Sequence, residues 1–467
     1  MFQIRLNRNT IDQLLLILLV AWLLLATNLL ELEIDYFLTI LCLLAIVALY
    51  YRYPNFLIRY IMLFFMALGN LAGVLICEHS HIWLPELSVY ADYTGSFSLL
   101  LCGWFLLIST VWMFDTRFRP GILDKSFQIC KFNIGRQPIK ICQLLAILCF
   151  FMALFSFVDV VFHPAFLEHM DRFAYRQLYI SRFLEIMINS IYALLPLLLV
   201  MIMKSTNWFW ACLNSLTILF LSLYLFCTGE KFGGFWYIVV DICIVSSIYN
   251  QFLSIRSLQM RIKKIGIIFL ALLSILAIHL SLTYSLDGER FVMAYLPQRI
   301  AQQGQLWWRT YALDKNNGMR IGELGDETRV YFQTDKQREL EYNHAIYKIM
   351  RFTTPANIFQ RKIMSGSRYS TSTFASMFYY FKRVGVFLWG IIGGILFWGL
   401  MYLCMKAVAN LFVVESVLVS KLLVMSYAVL AMSEFNILFQ FKPLFYLLII
   451  IGMFVLRRYL HFRRNKL

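Results

Sequence analysis

The chain has 467 residues, 61 % of them hydrophobic and only 15 % charged, with a formal net charge of +16. Soluble domains carry about 45–50 % apolar and about 25 % charged residues, so a soluble core of this length cannot hold the excess and lipid is the expected solvent. The basic balance is not a nucleic-acid footprint, because no long basic soluble segment exists to carry it, and no nucleic-acid partner is expected.

A helix needs about 20 apolar residues to cross the hydrocarbon core. Runs of that kind begin near Ile11, Tyr36, Phe56, Gly95, Ile141, Phe183, Asn207, Phe232, Gly266, Val384, Leu411 and Pro443. They predict an all-α, polytopic transmembrane bundle of about 12 spans. The first run is long enough to span and has no small-residue cleavage pattern, so it reads as a signal-anchor. Residues 1–285 are expected to hold helices 1–9 with short loops, 286–382 one large loop, and 383–467 helices 10–12 with a basic tail. Lys and Arg concentrate in alternate loops, as in Arg117 to Lys140 and Arg256 to Lys264, and after the last span. That bias predicts cytoplasmic termini and an exoplasmic 286–382 loop, periplasmic in a Gram-negative cell. The ten Cys show no CxxC pair, and they read as small hydrophobes.

Two exoplasmic segments depart from short polar connectors. The first, from His163 to Arg182, contains Arg172 and Arg176, which share a helix face at four-residue spacing. The second is the long loop, with Arg290, Arg299, Arg309, Arg320, Arg329, Arg338, Arg351, Arg361 and Arg368. Arg in a translocated loop runs against the orientation bias, and its planar fork matches phosphate oxygens. The plainer alternative is pairing with loop carboxylates or lipid headgroups. Read as one helix, Arg299, Gln303 and Trp307 form a stripe, with Trp308 and Arg309 beside it. Such a stripe holds sugars and phosphates, or else anchors an interfacial helix through its Trp pair.

Thr334 to Gln337 reads as a capping box opening a helix that ends near Phe352 and carries His344, a candidate base or simply a surface His. Thr228-Gly-Glu230-Lys231-Phe-Gly-Gly234 is a tight turn between two spans, either a site for the Glu230–Lys231 pair or a plain polar hairpin. It lacks phosphate-loop spacing, and metal-ligand spacings such as HExxH are absent from the chain. Among ionisable residues within spans, Asp159, Glu185 and His279 lie toward the exoplasmic half, while Asp241 is an exception that a proton or ion pathway would explain.

The layout of about 12 spans with one long exoplasmic loop before the last few resembles the Wzy-type O-antigen or capsule repeat-unit polymerases. The TGEKFGG turn, the RIAQQGQLWW segment and the polar stretch leading into FYYFKRVGVFLWG are similar to segments of those polymerases and of the related O-antigen ligases. An Arg-x10-Gly spacing described for some members is absent from both exoplasmic loops, and Arg383 has it only with Gly394. The resemblance implies a GT-C-like bundle in the bacterial inner membrane. It also implies a growing glycan on undecaprenyl diphosphate as donor, a repeat unit on the same lipid as acceptor, no metal or other cofactor, and a chain-length regulator as partner. Arg299, Arg309, Arg172 and Arg176 would then neutralise the leaving diphosphate, with Lys231, Gln303, Trp307 and Trp308 as further substrate contacts. Glu230, His344 and Glu289 are the candidate bases. A ligase moving finished glycan to another acceptor, or a non-enzymatic flippase of lipid-linked sugars, are the competing readings.

Overall fold

A computed structural model describes residues 35–118, 136–165, 172–204, 207–230, 233–249, 297–315, 318–329, 345–364, 373–432 and 440–464, with a few isolated positions between them. In chain order the helices are α1 (Asp35–Arg52), α2 (Pro54–Arg59), α3 (Ile61–His79), α4 (Ser96–Phe118), α5 (Arg136–Val161), α6 (Arg172–Tyr179), α7 (Arg182–Lys204), α8 (Trp208–Cys227) and α9 (Gly233–Tyr249). After them come α10 (Gln305–Asp314), α11 (Leu324–Arg329), α12 (Ala345–Thr353), α13 (Ala356–Met364), α14 (Thr373–Ala409), α15 (Val413–Met432) and α16 (Phe441–Arg464). The one departure from an all-α fold among the described residues is a small antiparallel hairpin, β1 (Trp83–Leu84) with β2 (Val89–Tyr90).

Seven of the described helices are long and apolar enough to cross a bilayer: Ile61–His79, Ser96–Arg117, Ile139–Val161, Arg182–Met203, Trp208–Cys227, Thr373–Ala409 and Val413–Ala431. The chain is a helical membrane protein. A shorter apolar helix, Gly234–Ile248, lies where a span was expected from Phe232. The expected spans from Ile11 and Gly266 fall outside the described residues, and those from Tyr36 and Pro443 correspond to α1 and α16. Large exposed side chains such as Leu144, Phe151, Phe155 and Leu448 stud the outside of these helices, as lipid-facing surfaces require.

Charges at the two ends fix how the helices assemble. At one end Arg59 is fully buried and grips Asp115 at 2.6 Å, tying the end of α2, just ahead of α3, to the end of α4. Tyr60 donates to the same carboxylate at 3.2 Å. Arg59 also reaches Ser247 Oγ at 3.4 Å, and Asn55 donates to the Ser247 carbonyl at 3.2 Å, which brings in the last turns of α9. The opposite end is closed by Glu78, buried on the last turn of α3. Its carboxylate accepts from Gly95 N at 3.0 Å, Ser96 N at 2.9 Å and the Thr94 and Ser96 hydroxyls at 2.7 and 2.6 Å. A carboxylate there satisfies orphan amides at the start of α4 and complements the helix dipole.

A buried pair that loses one member leaves the other charged and unsolvated, at about 3–5 kcal/mol. Asp115→Ala should therefore lower the melting temperature of the purified protein sharply, and Arg59→Met with Asp115→Leu should recover most of the loss. An unchanged melting temperature in the single variant would remove this pair from the list of structural ties.

Candidate functional site

The segment after residue 296 is docked on the bundle. A helical turn at 297–301 leads into a bend at Gln302–Gly304 and then α10. Gly304 meets α3 at Gly73 and Val74, backbone against backbone: a Cβ on Gly73 would lie 2.7 Å from the Ile300 carbonyl oxygen. Asn70 Nδ2 donates to the Gln303 carbonyl at 2.9 Å. This contact breaks the expected Arg299–Gln303–Trp307 stripe. Arg299 turns to Gln302 Oε1 at 2.9 Å, Gln303 is exposed, and the two Trp enter the bundle. Trp307 is fully buried and donates to the Ser96 carbonyl at 3.1 Å, and Trp308 donates to the Asp92 carbonyl at 2.8 Å. Neither ring offers a face to a sugar, because close approach of the glycines swings both indoles inward. The β-hairpin completes the dock: Glu86 pairs with Lys362 at 2.6 Å and accepts from Gln305, while Tyr369 donates to its carbonyl at 3.0 Å.

The described carboxylates of the long loop are spent internally. Asp314 is fully buried and holds Arg320 at 2.9 Å and Lys382. Lys348 bridges Glu323 at 3.0 Å and Asp326 at 2.8 Å. Glu327 accepts from Tyr380, and Glu323 from Tyr379 at 3.0 Å. Arg320 lies over the rings of Phe352 and Tyr379, 4.9 and 4.3 Å from their centroids. Burial works against a charged Glu323, but hydrogen bonds from Lys348 and Tyr379 and the fields of Lys348 and Arg320 outweigh it and hold its carboxyl below the usual range.

That leaves a surplus of guanidinium groups. Arg351 on α12 and Arg361 on α13 are exposed and have no carboxylate partner among the described residues. Arg368 donates to the Tyr347 hydroxyl at 2.8 Å and stacks on its ring. Arg309 is half-buried on α10, with its Nε buried and unpartnered, and burial lowers its proton affinity.

A second centre forms where α8 ends. Gly229, at φ +71°, donates to the Phe226 carbonyl at 3.1 Å, and Glu230 N to the Leu225 carbonyl at 3.0 Å. This left-handed stop satisfies the last carbonyls of α8 and aims Glu230 back at the bundle. The Glu230 side chain is only 5 % exposed and pairs with Arg176 of α6, itself 54 % exposed. The neighbouring Tyr175 is buried and stacks on Tyr179 at 5.1 Å, seating α6 against the bundle. Because the C-terminal end of α9 meets Arg59, its N-terminal end and the Glu230 turn point toward the end that carries the hairpin and α10.

Of the candidate residues, Arg176 and Glu230 are brought together across 54 positions of sequence. Arg299, Gln303, Trp307, Trp308 and Arg309 share the docked segment. Lys231, Glu289 and His344, and the side chain of Arg172, lie outside the described residues, as does the capping box from Thr334. Sequence reasoning missed Glu78, Glu86, Lys348 and Asp314 as ties, and missed Gly73 as a docking point. A small residue such as Gly73 within an apolar run is the signal for close approach, and its partner Gly304 lies too far along the chain to be paired with it from sequence.

Residues 339–447 match a protein family described as a family of unknown function, DUF6418. The match covers α12, α13, α14 and α15, and with them Lys348, Arg351, Arg361 and Lys382. No curated protein and no solved structure matches the chain.

Two outcomes are expected. Gly304→Val should prise α10 from α3, opening the buried Trp307–Ser96 contact; Trp fluorescence quenching by a water-soluble quencher should rise, and equal quenching would refute the dock. For Glu323, a depressed carboxyl contributes stability that is present above its ordinary value of 4.5 and drains away as pH falls through and below it. Melting temperature against pH should therefore separate wild type from Glu323→Gln at neutral pH and bring them together in acid.

Proposed function

We propose that this protein is a membrane glycosyltransferase that polymerises undecaprenyl-diphosphate-linked repeat units into surface polysaccharide, an O-antigen or capsule polymerase of the Wzy type. In this reading a GT-C-like bundle of about 12 spans sits in the bacterial inner membrane with both termini cytoplasmic. The end carrying α6, the Glu230 turn and the long loop then faces the periplasm. The carrying observation is the Arg176–Glu230 pair, a half-exposed guanidinium over a buried carboxylate at the end of apolar helices.

The pair suits a transfer from a lipid diphosphate. An arriving diphosphate competes with Glu230 for the Arg176 fork, which matches two phosphate oxygens at once. As the guanidinium turns to phosphate, its hold on the Glu230 carboxylate loosens, and the carboxylate is released toward the acceptor hydroxyl. The acceptor sugar hydroxyl then has a base, and the departing diphosphate has a cation. Arg309, Arg351 and Arg361, which carry no carboxylate partner among the described residues, add positive potential on the docked helices at the same end of the bundle.

Deleting the gene should leave surface glycan one repeat long on a gel, and an unchanged ladder would sink the proposal. Glycan missing from its final carrier but of full length on the lipid would indicate a ligase. Lipid-linked glycan held on the cytoplasmic leaflet would indicate a flippase. In a purified assay Glu230→Gln should slow elongation by about 10²–10⁴-fold, the usual worth of a positioned base. Arg176→Lys, which keeps the charge and loses the fork, should raise the lipid substrate's KM more than it lowers kcat.

A further inference from the structure

Below the Glu230 turn lies a small cavity within the apolar helices. Its volume is about 20 Å³, and its wall includes Tyr192, Tyr237, Asp241, Met401 and Ser420. A space of about 10–15 Å³ or more holds one water when it has polar partners. Polar atoms are present and unspent. The Tyr192 hydroxyl and Ser420 Oγ are buried without a hydrogen-bond partner, and Ser420 as a whole is 5 % exposed. Asp241 sits at the middle of α9, and its carboxyl has no hydrogen-bond or ion-pair partner among the described residues. Gly234 is what lets the Tyr192 ring in, since a Cβ there would lie 2.6 Å from the tyrosine oxygen.

An unpaired carboxylate among apolar helices is not tolerated without a compensating charge or proton. Among the described residues no Lys or Arg lines the cavity, and every lining polar group is an oxygen. The geometry points to a site for one monovalent cation, in which the Asp241 carboxylate and the hydroxyls of Tyr192, Tyr237 and Ser420 hold a proton borne with a water, or a sodium ion. The titratable groups that face Asp241 from the packed helices are Tyr192 of α7, Tyr237 of α9 itself and Cys404 of α14, with Tyr427 of α15 beyond Tyr237. The charged pair Arg176–Glu230 lies further out, and Glu230 is within electrostatic reach of both Tyr192 and Tyr237. The site stands whether or not that turn handles a glycan.

Infrared difference spectroscopy on the full chain in lipid nanodiscs tests it, read over a pH series and over a sodium series. If a proton is the occupant, wild type should show a protonated-carboxyl stretch at neutral pH that is absent in Asp241→Asn. Ser420→Ala should shift that stretch without abolishing it, which keeps the test open if Asp241→Asn fails to fold. If sodium is the occupant, the carboxylate bands should respond to sodium in wild type and not in Asp241→Asn. Wild-type and Asp241→Asn spectra that superimpose across both series would overturn the site. A Ser420→Ala spectrum identical to wild type would overturn the assigned geometry. Loss of glycan elongation with these spectra intact would strike the polymerase reading alone.

Discussion

Two glycines in van der Waals contact govern what the rest of this protein can do. Gly73 in α3 and Gly304 ahead of α10 bring their backbones together with no side chain between them. A hundred-residue loop costs entropy to hold in one place, and that cost is met here by burying Trp307, Trp308 and Tyr311 at the mouth of the bundle. Once α10 is seated, Glu86 of the hairpin can reach Lys362 and Gln305, and α13 follows. The extramembrane helices thereby form a fixed roof on the spans.

That roof determines the local electrostatics. Fixing Asp314, Glu323, Asp326 and Glu327 against Arg320, Lys348, Lys382 and two tyrosines removes the loop's described carboxylates as competitors for incoming anions. Arg351 and Arg361 keep their charge outward as a result. The Glu230 centre follows the opposite rule. There a single carboxylate is buried and its cation stands half in solvent, so the pair can be opened from outside.

Most of the spans were legible in the sequence because hydrocarbon thickness sets a length that local composition reports directly. The stop near Phe352 was legible as well, since α12 ends at Thr353 ahead of Pro355. The Arg299–Gln303–Trp307 stripe misled, because four-residue spacing assumes an unbroken helix, and the break at Gln302–Gly304 is imposed by a contact 231 positions away at Gly73. The Arg176–Glu230 pair was half legible. Each residue stood out by type and place, but nothing local joins them. Glu78 and Glu86 carry no local signal of their roles, which depend on amides and cations that only the fold delivers.

Lys382 adopts φ 58° and ψ −146° inside the long α14, a region that glycine enters freely and other residues enter at about 1–3 kcal/mol. Its ammonium is tethered to Asp314, which also grips Arg320, and lies over the Phe378 ring, 5.3 Å from its centroid. The bend in α14 is thus held by the same buried carboxylate that fixes Arg320. A change that removed the charge at Asp314 would loosen two cations at once, and the bend would lose the tether that offsets its backbone cost.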